Sequence, residues 1–228
     1  FNPIGTSSTL YFMGTLTGGG HSIINLTINR PASDEVGLFG YISSGSQISH
    51  LTLVNAAIKG LNYVGGLIGY NNQAIVKDVH FSGEVVALGS RVGGLIGWIV
   101  GGAVSNCSVL GNVSGTGTVG GLIGESSNSL VEYSQASGMV TGENTIGGLI
   151  AYGSRGAAMH CNTSNTILGR NTAGGLIGSS NSIVGFSWAS GQVLGLGERI
   201  GGLVGSSGHI IASSYATGKV TGQIEVGG

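Results

Sequence analysis

The sequence predicts an all-β protein: a parallel β-solenoid (β-helix) of about 27 residues per rung, with three short strands in each rung. The first observation is a block reading hydrophobic-Gly-Gly-Leu-(Ile/Val)-Gly at 64–69, 92–97, 119–124, 173–178 and 200–205, with an Ala-ended copy at 146–151. The Gly before Leu falls at 37, 66, 94, 121, 148, 175 and 202, with Gly228 last, in steps of 29, 28, 27, 27, 27, 27 and 26 residues. A fixed period in that range marks stacked repeats. The second is the 47 glycines in 228 residues. At roughly 1 kcal/mol per helical position relative to Ala, they disfavour helix. The third is that the remaining apolar residues form short runs bounded by Gly, Ser and Asn, which read as strands.

The elements follow in chain order. A degenerate block, Val36-Gly37-Leu38-Phe39-Gly40, opens the array, and residues 1–40 read as lead-in rungs to the repeats of 41–228. Within a repeat, Gly-Leu-Ile gives one strand and an aliphatic pair such as Ile183-Val184 or Ile210-Ile211 gives the next. A run ending in Gly-x-Val, as in Gly83-Glu84-Val85 or Gly218-Lys219-Val220, gives the third. One rung cannot bury its apolar face alone, but a stack makes a continuous core. Phe1 reads as mid-sequence and Val226-Gly227-Gly228 starts another block, so the chain is expected to be a single solenoid segment of a longer protein.

Stacking turns the sequence into columns. Leu38, Leu67, Leu95, Leu122, Leu149, Leu176 and Leu203 make one, and Phe39, Ile68, Ile96, Ile123, Ile150, Ile177 and Val204 the next. Neighbouring strand residues point to opposite faces. Either the strand bends at its glycines, the favoured arrangement, or one apolar column lies outside under another segment. Cys107 and Cys161 fall in the column Val79, Cys107, Ser134, Cys161, Ser187, Ser214, two rungs apart. At ~4.8 Å per rung that is about 10 Å, beyond the roughly 7 Å between Cα atoms that a disulfide tolerates. Two free, inward-facing thiols are expected.

Composition excludes several functions. Charged residues are 7% of the chain and net charge is −1, which leaves no basic footprint for nucleic acid. The longest apolar run, near 92–104, is too short and too Gly-rich for a membrane helix, so no insertion is expected. Gly115-Thr116-Gly117-Thr118-Val119-Gly120 matches a dinucleotide fingerprint but precedes another Gly-Leu-Ile strand rather than a helix. The histidines at 21, 50, 80, 160 and 209 fall at different offsets, so they make no column and no metal-ligand spacing. Asp78 and Glu84 read as part of a solvated loop. No cofactor, no metal and no catalytic role are expected in this segment.

The candidate binding residues are aromatic. The column Tyr41, Tyr70, Trp98, Glu125, Tyr152, Ser179, Ser206 begins with three rings at rung spacing. Exposed, they would suit sugar rings or a protein partner; packed, they stiffen a solenoid corner. Trp188 over Tyr215 poses the same question. Thr118, Thr145 and Thr172, followed by Arg199 and Glu225, read as a solvent-facing ladder, with Asn144 and Asn171 beside it and Glu143 facing Arg170. Sequons occur at Asn25, Asn106, Asn112 and Asn162.

The segments 64–70, 92–98 and 213–222 resemble the GLUG motif of bacterial surface proteins. Residues 1–5, 12–16, 20–31 and 36–41 resemble the lead-in to such arrays in filamentous-haemagglutinin-like adhesins of the two-partner-secretion or autotransporter type. Thr17, Ala151 and Asn165-Thr166-Ile167 depart from the family pattern, and the fifth rung is expected to be locally irregular. The resemblance implies a right-handed β-helix, export to the bacterial cell surface and a structural, adhesive stalk. Its partners would be host or bacterial surface glycans or proteins, with lateral self-association between copies. GLUG repeats also precede the catalytic part of some secreted peptidases, so a spacer or docking array of a secreted peptidase or polysaccharide-active enzyme is the alternative.

Overall fold

Val, Leu and Ile of one block lie within five residues, yet all three are buried; Val64, Leu67 and Ile68 are each 0% exposed. A straight strand cannot turn all three inward. In the computed structural model, which describes residues 1–227, the strand stops at Gly65 and resumes at Ile68. Val64–Gly65 belongs to one sheet and Ile68–Asn72 to another, so of the two arrangements the bend is the one formed. Gly228, the last marking glycine, lies outside the described residues.

The chain is an all-β parallel solenoid, with no helix among the described residues. Val36, Val64, Val92, Val119, Ile146, Ala173, Ile200 and Val226 pair in succession, one per rung, so the block corner is stacked eight deep. The other strands join one large sheet that wraps each rung: Ile96–Val100, Ala103–Ser105 and Ser108–Ser114, for example, each lie on their copies in the rung above. These are the three expected runs. The Val-Gly half of the block adds a fourth strand of two or three residues in a seven-stranded sheet of its own. In the lead-in, Thr15–Thr17, Ser22–Ile24 and Thr27–Asn29 all pair with Gln47–Gly60.

The block glycines are needed for space. A Cβ on Gly93 would fall on the carbonyl oxygen of Ile96, three residues on, and 2.7 Å from the carbonyl of Leu122 in the next rung. The block corner is bare backbone against bare backbone, without a left-handed residue at its two Gly positions.

Left-handed backbone appears at a second corner instead. His50, Asp78, Asn106, Tyr133, His160, Phe186 and Ser213 have φ between 48° and 54°. They form one column, so the histidines at 50 and 160 share an offset, contrary to the sequence expectation. Asp78 is no solvated loop residue either. It sits between its neighbours in this column, 3.3 Å from His50 Nε2, with the Asn106 amide donating to it.

The next residue in each rung points inward, and this is the cysteine column. Ser134 Oγ–H donates to the Glu132 carbonyl (2.8 Å) and accepts from the Cys107 N–H (3.1 Å); Ser187 repeats this with Gly185 and Cys161. Each thiol points to its own carbonyl two residues back, at 3.2 Å. Ser and Cys interchange here because both carry a γ donor. Cys107 and Cys161 are buried free thiols with the Ser134 rung between them. Burial pushes both up to about 12, which keeps them protonated as donors.

Irregularity occurs near the fifth rung, where register shifts between Ser154 and Ala157. A second shift lies between Leu53 and Ala56. Asn165, in place of the usual Gly, turns its amide inward and donates to the Gly148 carbonyl (2.6 Å), while Thr163 Oγ–H donates to Gly175 (2.7 Å). These side chains satisfy corner carbonyls that would otherwise be buried unpaired.

Gly93→Ala should therefore destabilise the chain by about 1–3 kcal/mol through overpacking. Gly185→Ala, which meets only the end of the Met159 side chain, should cost much less. Thermal midpoints of the two variants check this; equal midpoints would remove the corner-space argument.

Candidate functional site: the aromatic corner

The residue following the block's last glycine points outward between buried neighbours, which places Tyr41, Tyr70 and Trp98 on one outer column. The register runs Tyr41, Tyr70, Trp98, Glu125, Tyr152, Ser179, Ser206 without a slip. All three rings are only partly exposed.

The column is not a plain stack. Tyr41 and Tyr70 lie face to face, with centroids 4.7 Å apart and planes at 13°. Trp98 stands at 84° to Tyr70, at 4.9 Å, because its plane follows another ring. Tyr63 stacks on it at 5.6 Å and 19°, and the Arg91 guanidinium lies 4.8 Å from its centroid. Arg91 is also 5.3 Å from the Tyr63 centroid and donates from Nε to Glu125 Oε2 at 2.6 Å. Tyr11 closes the other end, tilted 49° against Tyr41 at 6.4 Å.

Tyr63 and Arg91 come from the residue just before the block, in left-handed backbone like Glu35. They head the same column as Thr118, Thr145 and Thr172, which pair as expected. Asn171 donates to Asn144 at 3.1 Å beside that ladder, and Arg199 pairs with Glu225 at 3.6 Å. Glu143 and Arg170 form no ion pair among the described residues. In the sequence the aromatic and Thr columns stand apart. Gly69 and Gly97 bring them together, since a Cβ on Gly97 would lie 2.6 Å from backbone atoms of Tyr63 and Val64. The signal for Tyr63 and Arg91 was present one residue before each block.

Electrostatics fit a crowded, half-dry corner. Desolvation raises the Tyr70 phenol, aided by Tyr41 and Glu35. Tyr41 is raised by desolvation and Glu35 against a lowering hydrogen bond from Asn72. Glu35 is itself raised, by burial and then by Asp34. Trp98 Nε1 is buried without a partner. Among the described residues no three His, Cys, Asp or Glu side chains gather as a metal would need. The arrangement offers a cation held against two rings and braced by a carboxylate, a cluster that resists bending between rungs.

Comparison with known proteins agrees with the repeats. Residues 60–86 and 89–114 match the model of the GLUG motif. The chain is 38% identical over 97 residues to Halomucin of Haloquadratum walsbyi, a stretch covering 42% of this chain and 1% of Halomucin. Among solved structures, a candidate immunoglobulin A1 protease from Bacteroides ovatus superimposes with a TM-score of 0.74 at 19% identity, over 94% of this chain and 73% of that one. An IgA1 protease superimposes with a TM-score of 0.67 at 18% identity, over 88% of this chain and 16% of the protease. At these identities the two structures establish the fold. The chain thus spans a small part of Halomucin and of the IgA1 protease. Two of its repeats match the GLUG motif, and the chain as a whole is a β-solenoid repeat region.

Arg91→Ala should lower the unfolding midpoint by an amount equivalent to about 0.5–2 kcal/mol, as expected for cation–π contacts at a partly desolvated site. Trp98 emission, read in a Trp188→Phe background, should move to the red at the same time. An unchanged midpoint and spectrum would show that Arg91 does not brace the corner.

Proposed function

We propose that the chain is a structural, adhesive stalk segment of a large secreted surface protein, holding other parts away from the cell and contributing attachment through its outward columns. The observation that carries this reading is the eight-rung stack, which continues across two local register shifts. Inward positions serve stacking, while outward columns such as Tyr41, Tyr70, Trp98, Glu125, Tyr152 change residue type along the stack. At ~4.8 Å per rung, seven steps give a stiff rod of about 34 Å. GLUG motifs and a relative of which this stretch is only 1% support a module built into something much longer. Export to the cell exterior and the haemagglutinin-like adhesin type belong to this reading. No catalysis is assigned to the segment.

The second reading is a spacer or docking array of a secreted enzyme. It is favoured by the names of the solved structures that share the fold. In both readings the Tyr41, Tyr70 and Trp98 cluster acts as a brace, with its ring edges available to a surface glycan or protein.

Exchange of the segment in the intact protein tests the proposal. Deletion should reduce attachment of cells to their surface, and an unrelated β-solenoid of eight rungs should restore the part due to reach. Attachment unchanged by deletion would overturn the stalk reading. Loss of a peptidase or glycanase activity on deletion, with attachment intact, would establish the second reading in its place.

A further inference from the structure

The outer side of the left-handed corner carries a second set of rings. Tyr133, His160 and Phe186 stack at 4.9 and 5.0 Å, with planes within 2° and 9° of parallel. Two residues further along each rung lies the column Gln135, Asn162, Trp188, Tyr215, whose two rings stack at 6.4 Å and 10°. Unlike the first cluster, these rings lie in solvent: Tyr133 is 60% exposed, Phe186 52%, Tyr215 57% and Trp188 38%. Exposed apolar surface gathered on one side of a protein marks an interaction site.

The two stacks are staggered. Trp188 begins its stack, so the ring face toward the N-terminal rungs has Asn162 below it rather than another ring. On that side, reaching Asn162 but not Trp188 itself, lies a groove of about 320 Å³ with Gln135, Ser137, Asn162 and Ser164 on its polar side and Val109 and Leu110 on its apolar side. The Gln135 and Asn162 side-chain amides make no hydrogen bond within the chain among the described residues. No Asp, Glu, Lys or Arg lines the groove. An exposed indole one rung above two free amides and a row of serines, without charge, matches one ligand chemistry. A hexose presents C–H bonds on one face and hydroxyls around its rim.

We propose that this flank binds an uncharged oligosaccharide, with one sugar ring packed against Trp188 and hydroxyls of the chain bonded by Asn162 and Gln135. Charge selects the ligand class: a carboxylated or sulfated glycan would find no cation in the groove. The inference deepens the adhesive reading above by naming the ligand class and the site. The exchange experiment measures reach, so it can succeed or fail independently of this site.

The test uses the 228-residue chain and soluble hexasaccharides of β-1,4-linked glucose, N-acetylglucosamine and mannose, with heparin as the charged comparison. Titration is followed by calorimetry and by Trp188 emission in a Trp98→Phe background. At least one neutral hexasaccharide should bind, with an affinity insensitive to salt. Trp188→Ala and Asn162→Leu should each weaken it about tenfold or more. Trp188→Leu, which keeps bulk at the position, should lose binding while retaining the unfolding midpoint. Absence of binding to all three neutral sugars, binding to heparin alone that disappears with salt, or neutral binding untouched by Trp188→Ala would each overturn the proposal. So would a dimer that Trp188→Ala converts to monomer, which would assign the flank to self-association.

Discussion

The close approach of backbone to backbone at the Gly-Gly-Leu corner is the constraint on which the rest of this structure depends. It lets three apolar side chains of a five-residue stretch turn inward, which a straight strand cannot do. It also sets two outer columns against each other across the corner, so that Tyr63 and Arg91 reach Tyr70 and Trp98. A side chain at Gly93 or Gly97 would displace backbone, which cannot move without breaking the hydrogen bonds to the next rung. The repeated glycines are therefore scaffold, and candidate chemistry lies in the columns that they position.

The interior shows how such a stack tolerates polar residues. Where the column after the left-handed corner carries Ser or Cys, the γ donor always finds the carbonyl two residues back, and Ser also accepts an amide from the neighbouring rung. Asn165 and Thr163 do similar service for corner carbonyls. Buried polar groups that are paired in this way cost little, whereas an unpaired one costs about 1–3 kcal/mol. Among the described residues Trp98 Nε1 is the exception, within a corner otherwise held by ring packing and the Arg91–Glu125 pair.

Much of this was legible in the sequence, because a fixed period converts spacing into spatial neighbourhood. The Leu and Ile columns, the Thr ladder and the rung between the two cysteines all followed from counting. What counting could not supply was backbone conformation. His50 and His160 looked unrelated because the residues between them in the column are Asp, Asn and Tyr, and nothing in those types announces a shared left-handed corner. The Tyr133–His160–Phe186 stack was missed for the same reason. Tyr63 and Arg91 were missed because proximity across a bend is invisible to any single column.

The central claim is that the rungs form one continuous stack, and distances between spin labels test it most directly. Labels at His50→Cys and His160→Cys, in a chain carrying Cys107→Ser and Cys161→Ser, stand four rungs apart in one column. The account predicts a backbone separation of about 19 Å, rising to about 29 Å when the second label moves to Ser213→Cys, two rungs on. Separations that do not grow linearly with rung number would contradict it.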